Sequence, residues 1–225
     1  MIRHFDDQLQ EVFKKIVLMG SLAESMIELA VRSLVERDEG LGMEVMEKED
    51  EVNALQLDID DEALRLIALH QPVAKDVRFL FTATKIVTDV ERIADQAKNI
   101  VQNASYVLAQ PPLKPMVDLP IMAEIAQKMV RDALSAVINR DVGLAEKIIH
   151  EEKKVDAFRD QIFRTLLTYM MADPGTIQRA LSLILISRNI ERIGDHATNI
   201  AEEAIYIVQG RDIRHTEPST DRTVA

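Results

Sequence analysis

Residues 189–203 read NIERIGDHATNIAEE, and residues 89–103 read DVERIADQAKNIVQN. On a helical wheel Ile186, Ile190, Ile193, Ala197 and Ile200 fall on one apolar arc. Ile86, Val90, Ile93, Ala97 and Ile100 repeat that arc in the earlier copy. Glu191 and Asp195 sit at its edge, within about 40° of one another, and Glu91 and Asp95 do the same. Like charges four apart on a helix cost a few tenths of a kcal/mol. A chain that keeps such a pair twice, in the same frame, points to duplication and to something that balances the charge.

Working outward, the stretch ERDEGLGMEVMEKEDEVN from Glu36 aligns with NRDVGLAEKIIHEEKKVD from Asn139, and VERIADQAKNI from Val90 aligns with IERIGDHATNI from Ile190. The two offsets differ by three residues, a difference that falls at the turns HQPVAKD and ADPG, where a change of length costs least. Each half shows three stretches of helical period. The first ends at ERDEG, with a slip of the pattern near Gly20. Asp38 N-caps the second, which runs to about His70. Pro72 falls in the first turn of the third, which reaches about Ala109. QPPLKPMVDLP then breaks the chain. A fourth helix spans Pro120 to Arg140, Asp141 caps the fifth, and ADPG starts the sixth, with Asp173 as N-cap and Pro174 at the first helical position. The expected fold class is all-α: two tandem antiparallel three-helix bundles related by an internal repeat. The expected domains are a first bundle over 1–110, a Pro-rich linker over 111–119, a second bundle over 120–210 and a mobile tail over 211–225.

Composition agrees. Hydrophobic residues make up 47% of the 225, enough for a sizeable core, and Gly and Pro number only seven each. A net charge of −11 argues against nucleic-acid binding, which needs a basic face, and allows cations and basic protein partners. There is no Cys, so disulfides and thiolate metal sites are excluded. The N-terminus lacks the apolar segment of a signal peptide, and ALSLILIS is too short to span a bilayer. A soluble, cytoplasmic protein without membrane insertion is expected.

The carboxylates are the candidate site. Glu152 and Asp156 form a third i,i+4 pair, flanked by Ile148, Val155 and Leu166 on one side and Ile149 and Phe163 on the other. The matching first-half residues are Glu49 and Asn53, among Val45, Val52 and Met46. A carboxylate within an apolar stripe needs a partner. Two kinds are open. Arg188, Arg192 and Lys98 stand three residues from Glu191, Asp195 and Asp95, and would neutralise them as ion pairs. A hard or borderline metal ion, Mg, Mn or Fe, would be held by Glu49, Asn53, Glu91, Asp95, Glu152, Asp156, Glu191 and Asp195. A metal store or oxidase with bridging carboxylates is the alternative functional class, although the Glu-x-x-His motif of di-iron bundles is absent. No P-loop, dinucleotide motif or nucleophile elbow occurs. Ten methionines read as adaptable core packing, a residue type that also serves partner surfaces.

The duplicated ERIAD and ERIGD motifs, each followed by NI, resemble the PhoU family of phosphate-uptake regulators, as do HQPVAKDVR, EKEDEVN, EEKKVD, LLTYMMADPGTI and GRDIRH. The resemblance covers residues from about 6 to 215. It implies two similar three-helix bundles and a cytoplasmic, non-enzymatic negative regulator of the phosphate-starvation response. It further implies two partners, the ATPase subunit of the phosphate ABC transporter and a sensor histidine kinase, together with a homodimer. It implies metal binding through the four acidic motifs, where Asn53 departs from the acidic pattern and weakens the first-half site.

Overall fold

A computed structural model describes residues 2–114 and 116–214. Six long helices account for nearly all of them: α1 (Ile2–Glu36), α2 (Glu39–His70), α3 (Ala74–Leu108), α4 (Asp118–Asn139), α5 (Val142–Ala172) and α6 (Ile177–Gln209). The expected all-α fold of two three-helix bundles is the one found. α1, α2 and α3 pack on one another, α4, α5 and α6 do the same, and α3 against α6 with α1 against α4 joins the halves. Among the described residues no helix is long and apolar enough to cross a membrane.

The helix ends follow local chemistry. Asp38 accepts from the Gly40 amide and Asp141 from the Leu144 amide, so equivalent aspartates cap α2 and α5. Two expectations shift. Pro72 lies ahead of the N-cap, Val73, because α3 begins only at Ala74. Asp173 and Pro174 open a single 3₁₀ turn, Pro174–Thr176, before α6 takes over at Ile177. The slip near Gly20 does not occur; α1 runs through it unbroken. There the missing side chain leaves room for α4, since a Cβ on Gly20 would stand 2.3 Å from Leu134 Cδ1.

The wheel positions are inward as read. Ile86, Val90, Ile93, Ala97 and Ile100 are buried, and so are Ile186, Ile190, Ile193, Ala197 and Ile200. Each buried Ile of this kind contributes roughly 1.5–3 kcal/mol. The stripes on α2 and α5 are narrower than expected. Val45, Val52, Ile148, Val155 and Leu166 are buried, but Met46 and Phe163 are exposed. The expected tail begins differently too. Ile213 packs against the core and Arg214 reaches Glu203 on α6, with Nη1 3.4 Å from Oε1. Residues 215–225 of that tail, and Pro115 of the linker, lie outside the described residues.

Two cross-repeat contacts fix the direction of the central pair. Lys85 donates to Glu203 at 3.0 Å, and Asp89 Oδ1 lies 2.8 Å from His196 Nδ1. As the chain advances along α3 it meets earlier residues of α6, so the two helices are antiparallel and the α2–α3 and α5–α6 turns point to opposite ends.

Candidate functional site: two balanced acidic faces

The acidic motifs of each half meet across neighbouring helices. In the first half Glu49, on α2, is only 8% exposed. Its Oε1 accepts from Asn53 Nδ2 at 2.9 Å and from Lys98 Nζ, on α3, also at 2.9 Å. Burial pushes this carboxyl up, but the two donors outweigh it and hold Glu49 below its ordinary value. Asn53 is therefore the partner of Glu49, a neutral donor one turn away where a carboxylate would have added repulsion. Glu91, on α3, is pushed up by burial and then by Asp95, with Glu49 adding to the effect.

In the second half the cation is Arg159, which sequence reasoning missed. It sits on α5, three residues after Asp156, and reaches Asp156 at 3.2 Å, Asp160 at 2.8 Å and Glu191 on α6. The i,i+3 spacing of Asp156 and Arg159 was the available signal; the reach to α6 was not readable. Burial raises Glu152 first, followed by the charges of Asp195 and Asp156. Asp195 is likewise raised by burial, then by Glu191 and Asp156.

The question of what balances Glu191 has a structural answer. Arg188 and Arg192 are exposed on the outer side of α6, and the guanidinium that meets Glu191 comes from the neighbouring helix. Lys98 likewise serves Glu49 across the α2–α3 interface. The expectation of a Mg, Mn or Fe cofactor is overturned. Among the described residues no three His, Asp or Glu side chains gather closely enough to hold a metal ion. Glu49, Asp156 and Glu191 are turned to ammonium, amide or guanidinium groups, so the carboxylates feel one another without converging on a point.

A second polar contact joins the two faces. Asp89 Oδ1 accepts from Asn199 Nδ2 at 3.1 Å and pairs with His196. The symmetry-related residues, Asn189 and Gln96, are both buried.

Comparison with known proteins matches the repeat half by half. The PhoU domain matches residues 16–104 and again 119–204. The phosphate-specific transport system accessory protein PhoU homolog of Pseudomonas putida is 38% identical over 214 residues, covering 95% of this chain and 84% of the relative. The crystal structure of PhoU from Pseudomonas aeruginosa superposes with a TM-score of 0.89 at 38% identity, over 92% of this chain and 100% of that one. The phosphate transport system regulatory protein PhoU from Streptococcus pneumoniae, 24% identical, shares the fold with a TM-score of 0.85 over 92% of this chain and 98% of its own. One domain found twice, on a chain folded as one bundle built twice, settles the assignment: this chain belongs to the PhoU family.

Proposed function

We propose that this chain is a non-catalytic regulator of phosphate homeostasis. The observation that carries the reading is similarity to the phosphate-specific transport accessory proteins along 95% of this chain and 84% of the relative. In finer terms, it is a negative regulator of phosphate uptake and of the phosphate-starvation regulon. It works in the cytoplasm as a homodimer and an adaptor, between the ATPase subunit of the phosphate ABC transporter and a sensor histidine kinase. The expected bundles over 1–110 and 120–210, with the linker 111–119 between them, are its two binding halves. In the acidic faces built on Glu49, Asn53, Glu91 and Asp95, and on Glu152, Asp156, Glu191 and Asp195, the carboxylates not already paired with Lys98 or Arg159 are offered to cationic side chains of a partner. What supports this is the net charge of −11 and the partial exposure of Glu91, Asp95, Glu152 and Asp195.

Deletion of the gene should raise alkaline phosphatase expression in phosphate-rich medium, and the wild-type gene should restore repression. Unchanged repression in the deletion strain would refute the regulatory reading.

A further inference from the structure

The two halves differ at one place that the repeat makes conspicuous. Between the N-terminal turns of α2 and the C-terminal turns of α3 lies an open groove of about 200 Å³. Met43, Met46, Val101 and Leu108 line it, over a floor that includes Gly42 and Ser105. Met43 is 65% exposed and Met46 36%, and with Val101 and Leu108 they make a contiguous apolar lining rather than scattered exposed side chains. In the second half Gly42 becomes Ala145 and Ser105 becomes Ile205, both buried. Met43 becomes Glu146. Gly42 admits Val101, since a Cβ there would stand 2.9 Å from Val101 Cγ1, and the second half pairs Ala145 with Ala201 instead; the exposed Ser105 and the methionine that walls the groove are features of the first half alone.

Charge divides the halves at the same place. Residues 36–51 carry eight carboxylates and two cations, which is more than half of the chain's net −11. The equivalent residues 139–154 carry four of each. Glu39 and Glu47 lie one turn either side of Met43, and Asp50 lies one turn beyond Met46, so these exposed acids share the methionines' side of α2. Glu49 faces Lys98 instead, and Asp38 is occupied as the N-cap.

We propose that this groove is a docking site for a cationic amphipathic helix of a partner protein. The partner's apolar ridge enters between Met43, Met46, Val101 and Leu108, and its Lys or Arg residues meet Glu39, Glu47 and Asp50. Unbranched methionines accommodate varied side chains, and an acidic rim selects for positive charge. The same charge repels an anionic membrane surface. The proposal rests on the adaptor reading for the existence of a protein partner.

The test titrates the purified full chain with two synthetic helical peptides. Both carry leucines at i, i+3, i+4 and i+7; one has lysines elsewhere and its twin has glutamates. The lysine peptide should bind and the glutamate peptide should not, with affinity falling as salt rises. Met43→Ser, the pair Glu39→Lys and Glu47→Lys, and Ser105→Ile should each weaken binding at least tenfold. All four positions are exposed, so circular dichroism should show an unchanged fold. Absence of binding, equal binding of both peptides, or binding indifferent to all the variants would overturn the proposal. So would self-association of the free chain that Ser105→Ile abolishes, since a second copy would then be the occupant. The titration and the deletion strain fail independently: one probes the groove, the other the regulatory role.

Discussion

Arg159 shows how a single side chain settles a question of charge. It bridges Asp156 on its own helix to Glu191 on the next, both partly shielded from water. A hydrogen bond to a charged group in such a setting contributes about 1.5–3 kcal/mol. Arg159→Ala should therefore lower stability by about 1–2 kcal/mol and the melting temperature by about 3–6 °C. In a Glu191→Gln background the same change should cost less, and a double-mutant cycle by thermal or urea unfolding measures the coupling. Among the described residues Glu152 and Asp195 have no comparable donor, and burial with like charges raises both. A carboxyl raised in the folded state binds protons more tightly there than in the unfolded chain. Its contribution is therefore most favourable at low pH and is lost as pH rises through the folded value. Glu152→Gln with Asp195→Asn should raise the melting temperature at neutral pH by about 2 °C and leave little change near pH 3. Glu49 has the opposite sign. Its folded value is depressed, so its contribution is present above the ordinary carboxylate range and lost on acidification below it.

At the scale of the helix, the repeat supplies its own controls. Gly194 on α6 stands where α3 has Ala94. A Cβ there would meet Val155 Cγ1 at 3.6 Å, an ordinary contact. Gly194→Ala should accordingly stabilise the protein by about 0.5–1 kcal/mol, because glycine in a helix interior carries that cost. Urea unfolding checks it, and a loss of stability would mean that Val155 cannot give way. The helix ends show what local sequence can and cannot specify. Asp38 and Asp141 cap as read, because an N-cap depends only on residues a turn away. The start of α3 moves past Pro72, and a 3₁₀ turn precedes α6, because proline tolerates several positions around a helix start.

For the whole molecule the α3–α6 pair matters most. It joins the bundles through the Lys85–Glu203 and Asp89–His196 contacts, and one continuous apolar core runs through all six helices. Heat should consequently unfold both halves in one transition, with the same midpoint at every wavelength of circular dichroism. Two separate transitions would show the bundles to be independent units. Asp89→Ala removes the acceptor shared by His196 and Asn199, and should cost about 1–2 kcal/mol across both halves together.

The sequence by itself determined the helices, their duplication and their inward faces. Those depend on apolar spacing, caps and breakers within a few residues, all of which are written along the chain. It also placed the acidic motifs at the rims of those faces. Tertiary structure alone decided what balances them. Lys98 and Arg159 lie on the helices adjoining their acids, and which cation meets which carboxylate depends on the crossing and rotation of neighbouring helices. An arginine three residues from a carboxylate, such as Arg188, is as close in sequence as Arg159 is to Asp156, yet it points to solvent. The expected metal failed for the same reason. Four carboxylates on two helices share a neighbourhood, but holding an ion requires three of them to aim at one point, and here the packing turns Asp156 and Glu191 to the Arg159 guanidinium and Glu49 to the Lys98 ammonium instead.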